Sequence, residues 1–512
     1  YPLLQTDPRE AEVKWVRYPM AGMTSHQVVL GLYTPGDVAP HWIKSHVADP
    51  EHYYTCVSWR PDGRQVFIAE LNRKQNYMEL NAYDFETGEY LETLFTESSD
   101  KYVEPEDPLT FLPGSNDKFI WMSERDGYKH MYLYDLSAKR GAQGLVGKQL
   151  TSGDWMVNDI IGIDPKAKFA YFTATKESPL ENHLYSLDLR SLKVTRITTM
   201  PGMHRVMVNK QFTQVYDTYS NHDTPRACQL INLKNGAPAK TSVLYQAEDP
   251  YAAKHIARPE VEVGTLKAAD GKTDLYYRLV KPLNYDASKK YPVVVYLYNG
   301  PHAQLVTEGY QWGLPGWDAY MATRGYVIFT IDGRGSDKRG LAFEQTIWHN
   351  LGYNEGKDQM KGVEYLKTLP YVDADRIGIY GWSYGGFMTT YMMLNYPETF
   401  KVGVCGGPVL DWSRYEVMYG ERYMGTPQDN PEGYAANTMI NQTEKLKGHL
   451  LIIHDDQDDT VVPQMSMQFL KNSVATGTYP DYMLYMNHPH NVRGKDRVHL
   501  LNNITRYFEE HL

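Results

Sequence analysis

A strand-and-turn unit that recurs about every 50 residues is the feature that most constrains how the first half of this chain can fold. From about residue 24 to 250 the sequence runs in short β-prone segments separated by turn residues, as in segments 56–59 and 65–70 on either side of Pro61-Asp62-Gly63. Three aromatic strands each end in an aspartate: Ala82-Tyr83-Asp84, Tyr132-Leu133-Tyr134-Asp135 and Tyr185-Ser186-Leu187-Asp188. Small antiparallel sheets repeated at this period bury their faces only against one another, which predicts a β-propeller of about four or five blades. A β-sandwich with irregular loops is the alternative, because the repeats are degenerate.

Beyond residue 256 the pattern changes to strands alternating with helices. Predicted strands cover residues 293–298, 327–331, 377–380, 402–405, 450–454 and 482–485, and predicted helices cover 359–368, 387–395 and 502–510. Such alternation indicates a doubly wound, mostly parallel sheet covered on both faces. At 512 residues the chain is long enough for two cores. We expect a propeller portion at residues 1–255 and an α/β domain at 256–512.

Composition excludes several classes of function. The net charge of −10 comes without a basic stripe, so nucleic acid is not an expected partner. The longest apolar runs, at 293–297 and 450–453, are far shorter than the roughly 20 residues that a membrane-spanning helix needs. Three widely spaced cysteines, Cys56, Cys228 and Cys405, suit neither a metal site nor a disulfide framework. The first residue is Tyr1 rather than Met, so we expect a processed or truncated start.

Residues 381–385 read GWSYG, which fits the G-x-S-x-G pattern of a nucleophile elbow. An apolar strand precedes this segment and an apolar helical run follows it, which is the context that the motif requires. Glycines two positions before and after Ser383, with Gly386 next in line, remove β-carbons that would collide in so tight a turn. The backbone N–H of Tyr384 is then a candidate oxyanion donor. A glycine-rich turn in a nucleotide-binding fold is the alternative interpretation.

A nucleophilic serine needs a histidine base and a carboxylate that orients it, and in this fold they follow the serine in the order Asp, His. The loop after the strand at 450–454 holds four aspartates, Asp455, Asp456, Asp458 and Asp459. The last loop before the final helix holds His488 and His490. Spacing alone does not choose among these candidates.

Together these segments resemble the prolyl oligopeptidase family of serine peptidases, in its dipeptidyl peptidase IV branch, and look most similar to bacterial prolyl tripeptidyl peptidases. The most specific stretches are residues 381–386, 298–304 (YNGPHAQ), 412–425 (WSRYEVMYGERYMG) and 490–500 (HNVRGKDRVHL). The resemblance implies that Asp458 and His490 complete the triad with Ser383. It also implies that the Tyr298 hydroxyl is the second oxyanion donor.

The resemblance further implies a pocket for the substrate's proline ring, with walls from Val409, Trp412, Tyr415, Tyr419, Val461 and Tyr384. Trp412, Tyr415 and Tyr419 have the spacing of one helix face, which by itself is typical of core packing. A flat pocket between aromatic faces suits the compact, apolar pyrrolidine. Glu416 is a candidate anchor for the substrate's free amino terminus; a solvated helix charge or a partner for Arg414 or Arg422 is the alternative. Glu421 and Arg422 are expected to be structural.

We therefore predict a proline-specific serine aminopeptidase that releases dipeptides or tripeptides and needs no metal or cofactor. The alternatives are an acylaminoacyl peptidase or an esterase of the same fold, and a binding module whose hydrolase half is inert. The glutamate-bearing helix by which the family grips the substrate's amino terminus is not found in this sequence, so we expect its N-terminal blades to be missing. The family resemblance also implies a periplasmic or secreted protein, a possible homodimer and a possible separate N-terminal fragment as partner.

Overall fold

Four-stranded antiparallel sheets form most of the first half of the chain in the computed structural model, which describes residues 1–36, 38–141, 144–310 and 316–512. Two short pairs come first, β1 (Pro2–Gln5) with β2 (Glu12–Trp15) and β3 (Gly31–Leu32) with β4 (His41–Trp42). Four sheets then follow within the described ranges, each joining its strands in chain order. Their strands are β5 (Tyr53–Trp59), β6 (Gln65–Leu71), β7 (Tyr77–Asp84) and β8 (Tyr90–Ser98); β9 (Thr110–Phe111), β10 (Lys118–Ser123), β11 (His130–Asp135) and β12 (Lys148–Gln149); β13 (Val157–Ile163), β14 (Phe169–Ala174), β15 (His183–Asp188) and β16 (Val194–Arg196); and β17 (Met203–Val208), β18 (Gln214–Asn221), β19 (Thr224–Lys234) and β20 (Ala237–Gln246).

The aspartates that end the aromatic strands make the turns between strands. β7, β11 and β15 end at Asp84, Asp135 and Asp188. The Asp84 carboxylate accepts hydrogen bonds from the backbone N–H groups of residues 86 and 87, and Asp135 and Asp188 make equivalent contacts two or three residues ahead. These side chains satisfy backbone donors that the turn would otherwise leave unpaired. The predicted repeat is therefore a structural unit.

Each sheet packs against its neighbours in the chain. One apolar cluster joins the first sheet to the second, with the rings of Phe67 and Phe119 stacked 6.4 Å apart. A second cluster joins Met131 to Phe172 in the third sheet, and a third joins Leu184 to Val215 in the fourth. Successive packing of small sheets is the arrangement of a β-propeller rather than of a sandwich of two sheets.

The second half is built on an eight-stranded sheet of the described residues, in the order β21-β22-β24-β23-β25-β26-β27-β28. Its strands are β21 (Val261–Lys267), β22 (Asp274–Val280), β23 (Tyr291–Tyr296), β24 (Val327–Ile331), β25 (Val372–Trp382), β26 (Phe400–Gly406), β27 (His449–Asp455) and β28 (Asp481–Tyr485). β21 and β22 are antiparallel additions at one edge, and β24 onward pair in parallel. The six predicted strands are all present, and the antiparallel pair is the part of the sheet that the sequence did not predict.

Helices cover both faces of this sheet and bury separate apolar clusters against it. The helices are α1 (Pro250–Ala253), α2 (Trp317–Thr323), α3 (Leu341–Glu344), α4 (Tyr353–Thr368), α5 (Tyr384–Asn395), α6 (Val417–Met424), α7 (Pro431–Ala436), α8 (Gln464–Thr476) and α9 (Asp496–His511), with 3₁₀ turns at Gln345–Ile347, Trp412–Arg414, Met439–Asn441 and Thr443–Lys445. Within the described ranges, none of these helices has the length and apolar character needed to cross a membrane. The architecture is a propeller followed by an α/β-hydrolase domain.

Ion pairs and hydrogen bonds tie the two halves together. Arg73, which lies between β6 and β7, pairs with the buried Glu421 at 2.7 Å. Glu104 accepts a hydrogen bond from Arg422 at 2.7 Å, and Tyr102 donates to Glu344 at 3.0 Å. Glu421 and Arg422 thus both form ion pairs between the two halves. We propose that the domain boundary lies near residue 255, between the end of β20 and the start of β21.

Candidate active site

The turn from β25 into α5 holds Ser383 in a strained conformation. Its backbone has φ 60° and ψ −116°, a combination that non-glycine residues seldom adopt. A hydrogen bond of 2.7 Å from the Ser383 N–H to the Gly406 carbonyl fixes the turn against β26. The residue therefore sits between strand and helix, at the carboxyl end of a central parallel strand, where α/β sheets bind their ligands.

The glycines around the serine are required by close backbone contacts. A β-carbon on Gly381 would lie 2.3 Å from the Gly385 carbonyl oxygen, and one on Gly385 would lie 2.5 Å from the Leu297 carbonyl oxygen. A β-carbon on Gly386 would lie 2.6 Å from the Gly406 carbonyl oxygen. Such separations do not occur for real β-carbons, so the tight elbow predicted from the sequence is confirmed in its geometry.

His490 and Asp458 form a hydrogen-bonded pair across two loops. The His490 Nδ1 lies 2.7 Å from the Asp458 Oδ2. The other carboxylate oxygen accepts from the backbone N–H groups of Thr460 at 3.0 Å and Val461 at 2.8 Å. An ionised carboxylate is an acceptor only, so Nδ1 donates and Nε2 is left free to accept a proton.

Burial would raise the pKa of Asp458, but hydrogen bonds from His454 and His490 outweigh it and lower the pKa to about 2. The carboxylate is therefore ionised at neutral pH. The neighbouring aspartates differ in their surroundings. Asp459 is exposed, whereas burial raises the pKa of Asp455 to about 8, and its carboxylate has no hydrogen-bond partner in the described part of the chain. His488 pairs instead with Asp496 at 3.0 Å.

Ser383, Tyr298 and His490 converge at the same edge of the sheet. Tyr298, in the loop after β23, lies near enough to Ser383 for the serine hydroxyl to lower the pKa of the phenol. Among the hydrogen bonds of the described residues, the His490 imidazole makes one to Asp458 and none to Ser383. The indole N–H of Trp382, adjacent to the serine, donates to the His490 carbonyl at 2.9 Å. Hydrogen bonds between a nucleophile and its base often tighten only once substrate binds.

The two predicted oxyanion donors, Tyr298 and the N–H of Tyr384, both lie beside Ser383. Burial raises the pKa of Tyr298, and the hydrogen bond to Ser383 offsets part of that increase, so the phenol keeps its proton at neutral pH. Tyr384 is the first residue of α5, where backbone N–H groups have no partner within the helix. The positive end of the helix dipole lies at the same place.

The predicted pocket residues form one aromatic cluster beside the elbow. The rings of Trp412 and Tyr419 are stacked with centroids 6.0 Å apart and an angle of 10° between planes. Tyr415 lies edge-on to both, at 5.4 Å from each, and Tyr384 lies 5.7 Å from Trp412. The same apolar cluster contains Val409 and Val461. The tertiary structure therefore brings the four aromatic residues into contact, and Val409 and Val461 belong to the larger apolar core around them.

One expectation about this cluster is wrong: its aromatic residues do not share one helix face. Trp412 belongs to a 3₁₀ turn that Asp411 caps, Tyr415 is extended, and α6 begins only at Val417. The segment contains two separate helical starts, because Asp411 caps the 3₁₀ turn and Glu416, which lies between Tyr415 and Tyr419, caps α6. The rings meet through these breaks rather than through helical periodicity.

Glu416 is the N-cap residue of α6. Its carboxylate accepts from the N–H groups of Met418 at 2.8 Å and Tyr419 at 2.9 Å, and burial raises its pKa. It is not a partner of Arg414 or Arg422, since Arg414 pairs with Asp411 and Arg422 with Glu104. Glu416 also lines a cavity of about 510 Å³ together with Tyr18, Tyr53 and Tyr415.

Sequence reasoning missed the polar groups beneath the site. The Tyr384 hydroxyl donates to the Glu355 carboxylate at 2.7 Å, and Gln359 donates to Asn299 at 2.7 Å. Both Glu355 and Gln359 lie on α4, but the predicted helix begins only at residue 359, so Glu355 falls outside it and nothing in the pattern indicates that Gln359 is buried. An unusually polar inner face on a predicted core helix is the only signal that would have pointed to them.

Three further side chains have the chemistry and spacing of metal ligands. Glu104, His302 and Glu344 bring possible ligand atoms within 4.8 Å of one another. Glu104 already accepts hydrogen bonds from Arg422, Tyr423 and His302. A guanidinium directly on one ligand opposes a bound cation, so this cluster is better described as an ion-pair network.

Comparisons with known proteins agree with this geometry. Residues 1–226 match the model of the dipeptidyl peptidase IV (DPP IV) N-terminal region, and residues 312–512 match that of the prolyl oligopeptidase family. Human dipeptidyl peptidase 8 is 29% identical over 90% of this chain and 57% of its own length. A probable dipeptidyl-aminopeptidase B of Arthroderma gypseum is 31% identical over 91% of this chain and 52% of its own. The chain thus spans somewhat more than half the length of these relatives.

Solved structures extend the likeness to the whole chain. A crystal structure from Bacteroides ovatus, provisionally identified as a dipeptidyl aminopeptidase IV, is 49% identical with a TM-score of 0.94, and the match covers 100% of this chain and 74% of that one. Porphyromonas gingivalis dipeptidyl peptidase 4 is 28% identical with a TM-score of 0.89, covering 100% and 71%. The propeller, the serine elbow and these relatives together show that the chain belongs to the prolyl oligopeptidase family of serine peptidases, in its dipeptidyl peptidase IV branch.

Proposed function

We propose that this protein is a serine exopeptidase that removes dipeptides ending in proline from the free amino terminus of peptides. The observation that carries the proposal is the 2.7 Å hydrogen bond between His490 Nδ1 and Asp458 Oδ2, formed at the sheet edge where Ser383 sits on its elbow. A histidine oriented by a carboxylate beside a strained serine is what acyl transfer requires.

In the proposed reaction, Ser383 Oγ attacks the carbonyl carbon of the substrate's proline residue, and the hydroxyl proton passes to His490 Nε2. The Tyr384 N–H and the Tyr298 hydroxyl donate to the carbonyl oxygen as it becomes an oxyanion. His490 then gives the proton to the leaving amine as the C–N bond breaks, and an acyl-enzyme remains. A water molecule, deprotonated by the same imidazole, hydrolyses the ester and restores the serine.

The aromatic cluster supports the preference for proline. Trp412 and Tyr419 present parallel faces, and Tyr415 stands edge-on to both. Val409 and Val461 are buried in the larger apolar core that contains these rings. A pyrrolidine ring is compact, apolar and without an N–H that needs a partner, so it loses nothing in a pocket of this kind.

Glu416 supports recognition of a free amino terminus. Its carboxylate lines the cavity next to Tyr415, on the side where propeller residues Tyr18 and Tyr53 approach the hydrolase domain. Its two oxygens each accept one backbone N–H from α6, which leaves lone pairs for a substrate ammonium. The propeller side of the cavity restricts access to short or unfolded peptides.

Product analysis tests the proposal directly. Peptides with proline at the second position should lose a dipeptide, as measured by mass spectrometry, and matched peptides with alanine there should react more slowly. Release of tripeptides from peptides with proline at the third position would instead assign the protein to the tripeptidyl group. A preference for alanine, or for acylated amino termini, would favour an esterase or acylaminoacyl peptidase.

Ser383→Ala tests the nucleophile. It should lower turnover by about 10⁶-fold with the fold intact, because triad members act as a unit. A fluorophosphonate probe should label the wild-type protein at Ser383 and leave the variant unlabelled. Folded wild-type protein that neither reacts with the probe nor cleaves peptides would favour a binding module.

A further inference from the structure

Helix α4 carries a buried polar face directly beneath the candidate active site. Glu355 and Asp358 are fully buried, and Gln359 is 1% exposed. The spacing i, i+3, i+4 places these three side chains on one side of the helix. Burying polar and charged groups in a core costs free energy unless they form hydrogen bonds or ion pairs. The hydrogen-bond partners of these three side chains therefore indicate what the buried polar face does.

Glu355 holds the residue that follows the nucleophile. The Tyr384 hydroxyl donates to the Glu355 Oε1 at 2.7 Å, and the Gly352 N–H donates to the same oxygen at 3.0 Å. The Tyr384 ring is also packed at 5.2 Å from Phe387 and 5.7 Å from Trp412. With its ring wedged and its hydroxyl tethered, Tyr384 has one side-chain position, and that position constrains the peptide group bearing its N–H.

Gln359, one turn further along α4, supports the other candidate donor. Its side-chain amide donates to the Asn299 Oδ1 at 2.7 Å and to the Ile331 carbonyl at 3.0 Å. Asn299 follows Tyr298 and has φ 61°, a left-handed conformation that needs support from its surroundings. The Gly333 N–H donates to the same Asn299 oxygen at 3.1 Å. One helix thus braces the segments of both oxyanion donors.

We propose that Glu355 is a positioning residue for the oxyanion site, which acts through the Tyr384 hydroxyl to fix the N–H of Tyr384 opposite Ser383. This inference rests on the proposed function. Glu355 is fully buried and bonded to the Tyr384 hydroxyl, so its effect passes through Tyr384. Gln359 serves the same end for Tyr298 by way of Asn299.

The surroundings of Glu355 fit a carboxyl whose function is to hold a neighbour. Its second oxygen, Oε2, has no hydrogen-bond partner within the described ranges. Burial raises the pKa of Glu355 to about 7, and the hydrogen bonds from Gly352 and Tyr384 limit that increase. Titratable or charged groups close enough to influence it are Tyr384 and Tyr391 of α5, Asp358 of α4, and Arg334 after β24.

The test compares Glu355→Ala, Glu355→Gln and Tyr384→Phe, alone and combined, in the full chain. Glycyl-prolyl p-nitroanilide serves as substrate, and fluorophosphonate titration gives the concentration of active sites. Glu364→Gln, a matched change on the exposed side of α4, is the control. We expect Glu355→Ala to lower kcat by about 10- to 100-fold with KM changed less than about threefold, because a misplaced donor weakens transition-state binding more than substrate binding.

Rescue and coupling separate positioning from a general structural role. Glu355→Gln keeps an acceptor for the Tyr384 hydroxyl and should restore kcat to within about threefold of the wild type. In the Tyr384→Phe background, Glu355→Ala should lower kcat little further, because the hydrogen bond between the Tyr384 hydroxyl and Glu355 is already lost. Loss of thermal stability with unchanged kcat per titrated site, or effects that multiply in the double variant, would overturn the inference.

Failure of the proposed function has a different signature. If wild-type protein is neither labelled at Ser383 nor able to release p-nitroaniline, the proposed function falls and the positioning role falls with it. If the wild type is active and Glu355→Ala matches Glu364→Gln in kcat, only the positioning role is refuted. Should Glu355→Ala fail to fold, the isosteric Gln variant and Tyr384→Phe still decide, because Tyr384→Phe alone must then lower kcat.

Discussion

Replacing Asp458 with asparagine tests whether the buried carboxylate sets the tautomer of His490. The backbone N–H groups of Thr460 and Val461 both donate to Oδ1, so in the variant the amide oxygen must take that place. The amide NH₂ then occupies the position of Oδ2, 2.7 Å from the His490 Nδ1. Two donors would face each other unless the imidazole moves its proton to Nε2.

An imidazole protonated at Nε2 has no lone pair there for the Ser383 proton. We therefore expect kcat to fall by about 10⁴-fold, or about 5.5 kcal/mol of transition-state stabilisation. The assay is hydrolysis of a prolyl dipeptide amide at neutral pH, with circular dichroism to verify the fold. Asp375→Asn, at an exposed position near the start of β25, is the matched control and should stay within about twofold of the wild type.

The same carboxylate should make stability depend on pH. Its pKa is lowered to about 2 in the folded protein, which corresponds to about 2 kcal/mol of stability. Because the folded pKa is depressed, this contribution is present above the unfolded pKa and is lost as the pH falls toward 2. The Asp458→Asn variant should lack this pH-dependent contribution to stability.

For the kinetic prediction, activity of the folded Asp458→Asn variant within tenfold of the wild type would refute the proposed orientation of the imidazole.

Two further predictions concern the oxyanion site and the elbow. Tyr298→Phe removes a hydroxyl that contacts Ser383 and should lower kcat by about 10²- to 10³-fold with little change in KM; steady-state kinetics showing a normal kcat would exclude it as a donor. Gly386→Ala places a β-carbon 2.6 Å from the Gly406 carbonyl oxygen and should lower the free energy of unfolding by about 1–3 kcal/mol, as measured by urea denaturation. An unchanged denaturation midpoint would mean that the turn can relax more than its packing indicates.

Element types and several boundaries followed from local patterns. The strand predicted at 327–331 matches β24 residue for residue, and the aromatic strands ending at Asp84, Asp135 and Asp188 are the third strands of three successive sheets. Predicted helices were found but extended further, as for α4, which begins at Tyr353 rather than at residue 359. The Glu355 carboxylate accepts a hydrogen bond from the Gly352 N–H at 3.0 Å, which starts that helix earlier than its apolar periodicity indicates.

The aromatic cluster shows where local pattern misleads. The spacing of Trp412, Tyr415 and Tyr419 suggested one helix, yet the 3₁₀ turn that Asp411 caps ends at Arg414, and Glu416 caps a separate helix. Capping depends on whether a side chain can reach free N–H groups, and the residues of segment 411–419 are compatible with both helical and extended backbone. The convergence of the rings depended on packing against Tyr384 from α5.

The chain's residues by themselves determined what neighbours in sequence can determine: a strand from alternating side chains, a turn from an aspartate, an elbow from closely spaced glycines around Ser383. Only the tertiary structure decided which of four aspartates meets His490, that Glu355 lies under Tyr384, and that Glu416 caps a helix. The physical reason is the separation along the chain of the residues that interact. Local conformation is set by sterics and hydrogen bonds within a few residues, whereas these partners are joined only when the sheet order brings the ends of β25, β27 and β28 to one edge.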